Sequence, residues 1–243
     1  LYYQPLVYLN SNQLYGFEIL VRWQHPQRGS ISPKDFIPLA EQTGVVKELD
    51  AWVLKQGCRQ LRQWQRQFTH AQDLVLSINL SPVELLQPNL VQRIAATLKE
   101  ERISPHCLRF ELTETAFLDD TCLDAFHQLQ ALGVQISIDD FGTGESSLSR
   151  LHQLHQLPLS TIKVDRLFVQ QLDQTPSSQV IVQTIITLAD SLGVSTLSEG
   201  IETSQQRDTL LSLGCLLGQG YLYSQPVPAN VATQILATGN LSN

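Results

Sequence analysis

The fold is indicated by the stretch Ile136-Ser137-Ile138-Asp139-Asp140, in which aliphatic and polar residues alternate until the run ends on two carboxylates. Alternation with a period of two is typical of a β-strand with two different faces. Five other apolar runs also lead into a carboxylate, an amide or a lysine, and these lie at residues 16–22, 76–79, 110–114, 162–165 and 197–202. Polar groups at so many strand ends suggest a ring of side chains at the C-terminal mouth of a β/α barrel.

The carboxylates of this ring predict a metal site. They would repel one another unless cations lay between them, since no cluster of arginines accompanies them in the sequence. Hard divalent cations prefer oxygen ligands, which carboxylates and an amide supply. The alternative is a buried polar network in which hydrogen bonds satisfy every group, because an unpaired carboxylate inside a barrel is costly.

Length and charge restrict the class of protein. The 243 residues suit one α/β barrel or two small domains. The 16 basic and 23 acidic side chains give a formal net charge of −7, so a polymeric nucleic acid is not an expected partner. No apolar run reaches the roughly 18 residues of a membrane span and no signal peptide is visible, so we expect no membrane contact by this domain.

The cysteines and the first residues indicate where the domain works. The four cysteines lie far apart, without a CxxC pair, at Cys58, Cys107, Cys122 and Cys215. This spacing argues against zinc and against a disulfide framework, and it favours a reducing cytoplasm. The sequence begins directly in a strand-like run and contains no methionine. We therefore expect a cytosolic domain excised from a longer protein, which can itself be tethered to a membrane.

The order of elements predicts one closed barrel. Opening strands at residues 2–9 and 13–23 should be antiparallel, because a short turn joins them. Helices follow at 33–42 and 46–67, and Trp52 and Trp64 of the second helix are expected in the core. Strand and helix then alternate at 74–79 and 88–101, 107–112 and 121–132, 134–139 and 146–154, 160–164 and 177–192, 194–198 and 204–213, and 216–223 and 228–238.

The count of eight strands, seven of them followed by helices, favours a single domain over residues 1–243. No linker rich in glycine, proline or serine divides the chain. We expect an α/β fold of the TIM type, a (β/α)8 barrel with its first strand antiparallel to the rest. The alternation also predicts a polar barrel interior, lined by Ser77, Asn79, Arg109, Glu111, Ser137, Asp139, Thr161, Lys163 and Asp165.

Seven motifs follow one another along essentially the whole chain. They are Glu18-Ile19-Leu20-Val21-Arg22-Trp23, Ile78-Asn79-Leu80-Ser81, Glu111-Leu112-Thr113-Glu114, Asp139-Asp140-Phe141-Gly142-Thr143-Gly144, Lys163-Val164-Asp165, Glu199-Gly200-Ile201-Glu202, and Gln219-Gly220-Tyr221 followed by Pro226. In this order and spacing they resemble the EAL-domain family, whose first motif reads EALxRW. The resemblance implies a phosphodiesterase that hydrolyses the bacterial second messenger cyclic di-GMP to linear 5′-pGpG.

The resemblance further implies two metal ions, Mg²⁺ or Mn²⁺, as cofactors. Their ligands would be Glu18, Asn79, Glu111, Asp139, Asp140 and Glu199. Two such ions, about 3.5–4 Å apart, would activate a water for attack on phosphorus. Neighbouring residues of a regular strand face opposite ways, so Asp139 and Asp140 can both reach the site only if the strand ends there.

Catalytic roles are implied for Lys163, Glu199 and Gln219. Lys163 would hold the attacking water or an oxygen on phosphorus. Glu199 would be either a metal ligand or the acceptor of a proton, and the sequence leaves both open. Gln219 would support the water or the metal ligands.

Substrate contacts are implied for three residues. Arg22 would bind a phosphate, although it could instead pair structurally with a neighbouring carboxylate. Gln4 would contact a guanine. Asp165 would contact the substrate or orient Lys163. Two further carboxylates, Glu114 and Glu202, would support the metal ligands from outside, the former by steadying the loop after Asp140.

The chain departs from the family pattern in two notable places. Glu145 stands where the loop after the aspartate pair usually has an aromatic residue, and Gln225 stands where the family often has arginine. Neither change removes a predicted ligand. The first puts regulation and substrate affinity in doubt, and the second can weaken a substrate contact.

Two alternatives to the phosphodiesterase stay open. The domain could bind cyclic di-GMP without cleaving it and signal through an attached module. A barrel with metal-binding carboxylates and an interior lysine could also stabilise an enolate. The resemblance further implies a homodimer and an upstream sensory or GGDEF domain.

Overall fold

The computed structural model describes residues 1–114, 122–142, 154–155, 157–173, 175–239 and 241. Its strands are β1 (Tyr2–Tyr8), β2 (Leu14–Leu20), β3 (Trp23–His25), β4 (Gly29–Ile31), β5 (Val75–Asn79), β6 (Leu108–Thr113), β7 (Gln135–Phe141), β8 (Thr161–Val164), β9 (Ser195–Ser198), β10 (Leu217–Gly218) and β11 (Val227–Pro228). Eight of these strands form a closed barrel in the order β1-β2-β5-β6-β7-β8-β9-β10, and β10 pairs back with β1.

The first strand is antiparallel to both of its barrel neighbours. It pairs with β2 through Gln4 opposite Glu18, and with β10 through Val7 opposite Gly218. Every other neighbouring pair in the barrel is parallel. The prediction of a TIM-type barrel with one antiparallel strand is confirmed.

Two strands end earlier than the sequence pattern predicts. The expected strand at 13–23 stops at Leu20, and Trp23–His25 instead forms a separate hairpin with Gly29–Ile31. The expected strand at 216–223 contains only Leu217–Gly218. Just after this strand, Gly220 packs directly on the backbone of Ile201, where a Cβ atom would overlap.

Helices surround the barrel. In the described residues they are α1 (Pro33–Thr43), α2 (Val46–Gln67), α3 (Pro82–Leu85), α4 (Leu90–Glu101), α5 (Leu123–Leu132), α6 (Arg166–Gln170), α7 (Pro176–Leu192), α8 (Ser204–Ser212) and α9 (Ala229–Thr238). The short helices α3 and α6 were not predicted. Each follows a side chain that accepts a hydrogen bond from a backbone N–H of its first turn, Ser81 for α3 and Asp165 for α6. The predicted helix at 146–154 lies almost entirely outside the described residues.

The two faces of the strands are buried in different surroundings. The aliphatic face packs under the helices, with Leu76, Leu108, Ile136 and Ile162 fully buried. The interior face of β5 to β8 is polar, as the alternation predicts, and carries buried Ser77, Arg109, Glu111, Ser137, Thr161 and Lys163. Across the barrel, Leu6, Leu197 and Leu217 form a small separate apolar cluster. The interior therefore contains a large polar part and a small apolar cluster.

The two tryptophans of α2 differ in their surroundings. Trp64 is 1% exposed and packs against the rings of Tyr3 and Phe17, as predicted. Trp52 is 47% exposed, so its assignment to the core was wrong. Twelve residues separate the two side chains, which places them about 120° apart around a helix of 3.6 residues per turn.

Candidate active site

The carboxylate ring consists of Glu18, Glu111, Asp139, Asp140 and Glu199, and Lys163 lies at its centre. It belongs to β8 and its side chain is fully buried. Its Nζ lies 2.7 Å from Oε1 of Glu199 and 2.8 Å from Oε2 of Glu111. Oδ1 of Asp139 lies 3.0 Å from the same nitrogen, and Oε2 of Glu18 lies at 3.9 Å. Carboxylates from the ends of four strands thus converge on one ammonium group.

Burial and neighbouring charges together shift the pKa values of Lys163 and of the carboxylates around it. Burial lowers the pKa of Lys163, but its carboxylate neighbours outweigh that effect and hold the pKa well above its ordinary value. Burial raises the pKa of Glu111 to about 8, although Lys163 opposes the shift. Burial also raises the pKa of Glu199 well above its ordinary range. The positive charge of one lysine is therefore not enough to keep all of these carboxylates ionised. Additional cations would favour the ionised forms.

Two amide side chains orient Glu18. The Nδ2 of Asn79 donates to Oε1 of Glu18 over 3.1 Å. The Nε2 of Gln219 donates to Oε2 of Glu18 over 2.7 Å and to Oε1 of Glu199 over 3.1 Å. Gln219 thus links the first and last predicted ligands of the chain.

A bulge brings Asp140 to the same side as Asp139. The strand does not end at the aspartate pair, as expected, but continues to Phe141. Its register with β8 shifts between Ile138 and Phe141, and Asp140 has a φ of 53°, in the left-handed region. Burial, followed by repulsion from Asp139 and a hydrogen bond with Asp165, raises the pKa of Asp140 to about 6.

The residues of the ring fit divalent cations. Carboxylate oxygens of Asp139, Asp140 and Glu199 all lie within 4.8 Å of one another. Among the described residues, the buried Oε1 of Glu111 has no hydrogen-bond partner. A buried anionic oxygen without a donor is a place where a cation would be stabilised. The donor set is therefore suitable for hard divalent ions.

Each of the two predicted supporting carboxylates accepts a hydrogen bond from a distant part of the chain. Oε2 of Glu114 accepts from the backbone N–H of Gly142 at 3.5 Å, just beyond the aspartate pair. Oε1 of Glu202 accepts from Nε2 of Gln170 at 3.4 Å. The first contact is the one expected for a residue that steadies the loop after Asp140. Glu145, in the continuation of that loop, lies outside the described residues.

The predicted substrate-binding residues lie around the mouth of the barrel. The half-buried Arg22 donates from Nη1 to the backbone oxygen of Val21, and in the described part of the chain no carboxylate lies within ion-pair distance of it. Gln4 donates to the backbone oxygen of Ser224 at 3.3 Å. Asp165 accepts from the backbone N–H of Leu167 at 2.7 Å, so it caps α6.

A cavity of about 320 Å³ opens beside the carboxylate ring. Its lining includes Asp50, which the sequence pattern did not indicate as a site residue. Arg22, Asn79 and Glu111 line it, together with Asp50 and Ser81. Asp50 comes from α2, so no local pattern connects it with a strand end. Ser81 is the N-cap of α3.

Fold and site together define an α/β barrel with a lysine-centred acidic cluster suited to divalent cations. The family model described as "EAL domain" matches residues 1–226. The chain belongs to the EAL-domain family, and the resemblance drawn from its motifs is confirmed.

Relatives of known sequence and structure agree with this assignment. The bifunctional diguanylate cyclase/cyclic di-GMP phosphodiesterase MucR of Pseudomonas aeruginosa is 41% identical over 240 residues, which are 98% of this chain and 34% of that protein. The solved PaMucR phosphodiesterase in complex with c-di-GMP has a TM-score of 0.89 at 39% identity, covering 95% of this chain and 92% of that one. The EAL enzyme Bd1971 in its cAMP- and cyclic-di-GMP-bound form has a TM-score of 0.92 at 34% identity, covering 97% of this chain and 64% of that one.

The chain covers about a third of the length of MucR. None of the helices in the described ranges combines the length and apolarity that a bilayer crossing requires.

Proposed function

We propose that this domain is a metal-dependent phosphodiesterase that hydrolyses cyclic di-GMP to linear 5′-pGpG. The observation that carries the proposal is the convergence of four carboxylates on the buried Lys163, with both amide side chains in contact with Glu18. Every ligand position that the family motif provides is present in this chain. The named activity of MucR and its solved complex with c-di-GMP support the choice of substrate.

We infer that the metal ions are held by the ring, as Mg²⁺ or Mn²⁺. One ion would bind Glu18, Asn79, Glu111 and Asp139, and a second would bind Asp139, Asp140 and Glu199. When bound, the two ions would supply water activation and would offset the charge that develops at phosphorus.

The side chains of the chain have separate tasks in this proposal. In the metal-free site the surrounding carboxylates hold the pKa of Lys163 well above its ordinary value, and its ammonium would donate to an oxygen on the attacked phosphorus. Glu199, 2.7 Å from that ammonium, would be either a ligand of the second ion or the acceptor of the proton from the attacking water. Gln219 holds Glu199 in place at 3.1 Å.

The overall reaction adds one water across one phosphodiester bond. The water oxygen bonds to phosphorus, the bond from phosphorus to the ribose 3′ oxygen breaks, and that oxygen leaves with a proton. The product is linear with a free 5′ phosphate. Arg22, whose guanidinium has no carboxylate partner among the described residues, would bind a phosphate oxygen at the mouth. Gln4 and Asp165 would contact the rest of the dinucleotide.

The test is a product assay on the purified domain. Cyclic di-GMP is incubated with excess Mg²⁺ or Mn²⁺ and the products are separated by chromatography, with a chelator as control. We expect 5′-pGpG, lost on chelation and in the Glu18→Ala and Lys163→Ala variants. Tight binding of cyclic di-GMP without any product would contradict the proposal and identify a receptor domain. Inertness toward cyclic dinucleotides with turnover of a carboxylate substrate would favour enolate chemistry instead.

We also propose a setting for this activity. The domain would act in the cytoplasm as one part of a longer signalling protein, paired with an upstream sensory or GGDEF domain and assembled as a homodimer. The size and bifunctional name of MucR support the first part of this hypothesis. Light scattering of the purified domain would test the dimer.

A further inference from the structure

A carboxylate of α2 holds the segment that follows β5. Oδ2 of Asp50 accepts a hydrogen bond from Oγ of Ser81 at 2.7 Å and lies 3.4 Å from the backbone nitrogen of the same residue. Ser81 comes two residues after Asn79, the last residue of β5 and a proposed metal ligand. The contact therefore joins a surrounding helix to the end of a strand that carries the site.

The segment from Asn79 to Ser81 is fixed on its other sides by the barrel itself. The backbone N–H of Leu80 donates to the backbone oxygen of Glu111 at 2.9 Å. The side chain of Asn79 donates to Glu18 at 3.1 Å. Among the described residues, Asp50 is the one side chain from another element that binds Ser81. Without the Asp50 side chain, the turn between β5 and α3 would lose these hydrogen bonds to α2.

The ionised carboxylate of Asp50 is buried at a cost that its hydrogen bonds to Ser81 offset only in part. Burial raises its pKa to about 6, so the ionised carboxylate is less stable here than in water. None of the described basic side chains forms an ion pair with it. A neutral side chain at position 50 would remove the cost of burying a charge. An apolar side chain, however, could not accept hydrogen bonds from the hydroxyl and the backbone N–H of Ser81. The carboxylate also lines the cavity that reaches Asn79 and Glu111.

We propose that Asp50 is a positioning residue, which orients Asn79 toward the metal ions by holding Ser81. This inference rests on the proposed metal-dependent function. It predicts that the effect of Asp50 on metal binding passes through Asn79 and depends on the hydrogen bond to Ser81 rather than on negative charge.

The test measures Mn²⁺ affinity of the metal-free domain by titration calorimetry, with no substrate present. Asp50→Ala should weaken Mn²⁺ binding about 10–100-fold, the usual effect of losing a residue that orients a metal ligand. Asp50→Asn should stay within about threefold of the parent, because its side-chain oxygen still accepts from the Ser81 hydroxyl. Glu41→Ala is the matched control, since Glu41 lines the same cavity without a hydrogen bond to the segment, and it should leave the affinity unchanged.

A double-mutant cycle separates positioning from a general effect on the site. In an Asn79→Ala background, Asp50→Ala should change Mn²⁺ affinity by less than about twofold. An undiminished effect in that background would overturn the inference. So would equal losses for Asp50→Asn and Asp50→Ala, because charge rather than the hydrogen bond would then be responsible.

A second pair of variants covers the case in which Asp50→Ala does not fold, as judged by circular dichroism. Ser81→Ala removes the hydroxyl from the other side, and Ser81→Thr retains it. The inference requires weak Mn²⁺ binding in the first and near-parental binding in the second, and equal affinities would overturn it. Hydrolysis is assayed separately: a parent that binds Mn²⁺ but never cleaves cyclic di-GMP would refute the proposed function and leave the role of Asp50 intact.

Discussion

At the scale of single residues, Lys163 determines the charge balance of the site. It is fully buried and its Nζ lies within 4.0 Å of carboxylate oxygens from four residues. Coulomb interactions at such distances are strong when water is excluded. The same lysine serves the folded state without metal ions and the proposed chemistry with them.

Replacing this lysine should destabilise the metal-free protein. Lys163→Ala leaves several buried carboxylates without a counter-ion, and breaking a buried ion pair from one side typically costs about 3–5 kcal/mol. Urea unfolding in a chelating buffer would measure the loss, and added Mn²⁺ should restore part of it. Lys55→Ala is the control, because the Lys55–Glu100 pair is exposed and should contribute less than about 1 kcal/mol. Equal losses for both variants would contradict the central role of Lys163.

The pKa of Asp50 predicts a pH dependence of stability. Burial raises this pKa from 3.8 to about 6, so between these values the folded protein binds a proton more tightly than the unfolded chain. The free energy of unfolding therefore falls as the pH rises through that window, and the loss is complete above it. Asp50→Asn removes this slope. The free energy of unfolding of Asp50→Asn, measured relative to the parent by urea unfolding, should increase from pH 4 to about 6 and then stay constant. A difference that does not change with pH would refute the prediction.

At the scale of elements, the period of each element decides which side chains face the site and which face the core. The barrel strands present polar residues inward and aliphatic residues to the helices, because side chains alternate along a strand. Strand β7 breaks this rule at Asp140, where a bulge adds a second carboxylate to the inward face. Helix α2 buries Val53, Leu61 and Trp64 on one face and leaves Trp52 on another.

The two tryptophans of α2 allow a matched test of this packing. Trp64→Ala should lower the free energy of unfolding by about 3–5 kcal/mol, because it empties a core position and removes a hydrogen bond from Nε1 to Thr233. Trp52→Ala removes a side chain of the same type that is 47% exposed, so its cost should be much smaller, about 1 kcal/mol or less. Chemical denaturation of both variants checks the difference, and a larger loss for Trp52 would contradict the structure.

At the scale of the whole molecule, barrel closure brings distant parts of the chain to one place. Gln219 and Glu18 are in contact although 201 positions separate them. The closing pair of strands is short, since β1 and β10 are paired at Val7–Gly218 and Tyr8–Leu217. The site therefore exists only when the barrel is closed, and a ligand of the site should stabilise the closed form.

Metal ions should accordingly raise the melting temperature of the whole domain. A ligand that binds only the folded state contributes about 2.7 kcal/mol when present at 100 times its Kd. We expect the melting temperature, followed by circular dichroism, to rise on addition of Mn²⁺ and to return on chelation. Glu18→Gln should reduce this shift, because it removes a charged ligand. A melting temperature that is independent of Mn²⁺ in the parent would argue against the metal site.

Much of the fold and the site followed from the sequence. The alternation in residues 136–139 determines which side chains face inward, because the pleat of a strand is set by local backbone geometry. The run of strand ends then identifies the mouth of the barrel and, with the motif order, the family. These inferences needed no knowledge of long-range contacts.

Other features were decided only by tertiary structure. The bulge at Asp140 is a shift in register between β7 and β8, and the exposure of Trp52 depends on what covers α2. The hydrogen bond between Asp50 and Ser81 joins residues 31 positions apart. The gathering of carboxylates around Lys163 likewise requires a closed barrel. The local sequence determines the direction in which each side chain points, because backbone geometry sets that direction. Which residues come into contact depends on how the elements pack, and this packing depends on the whole chain.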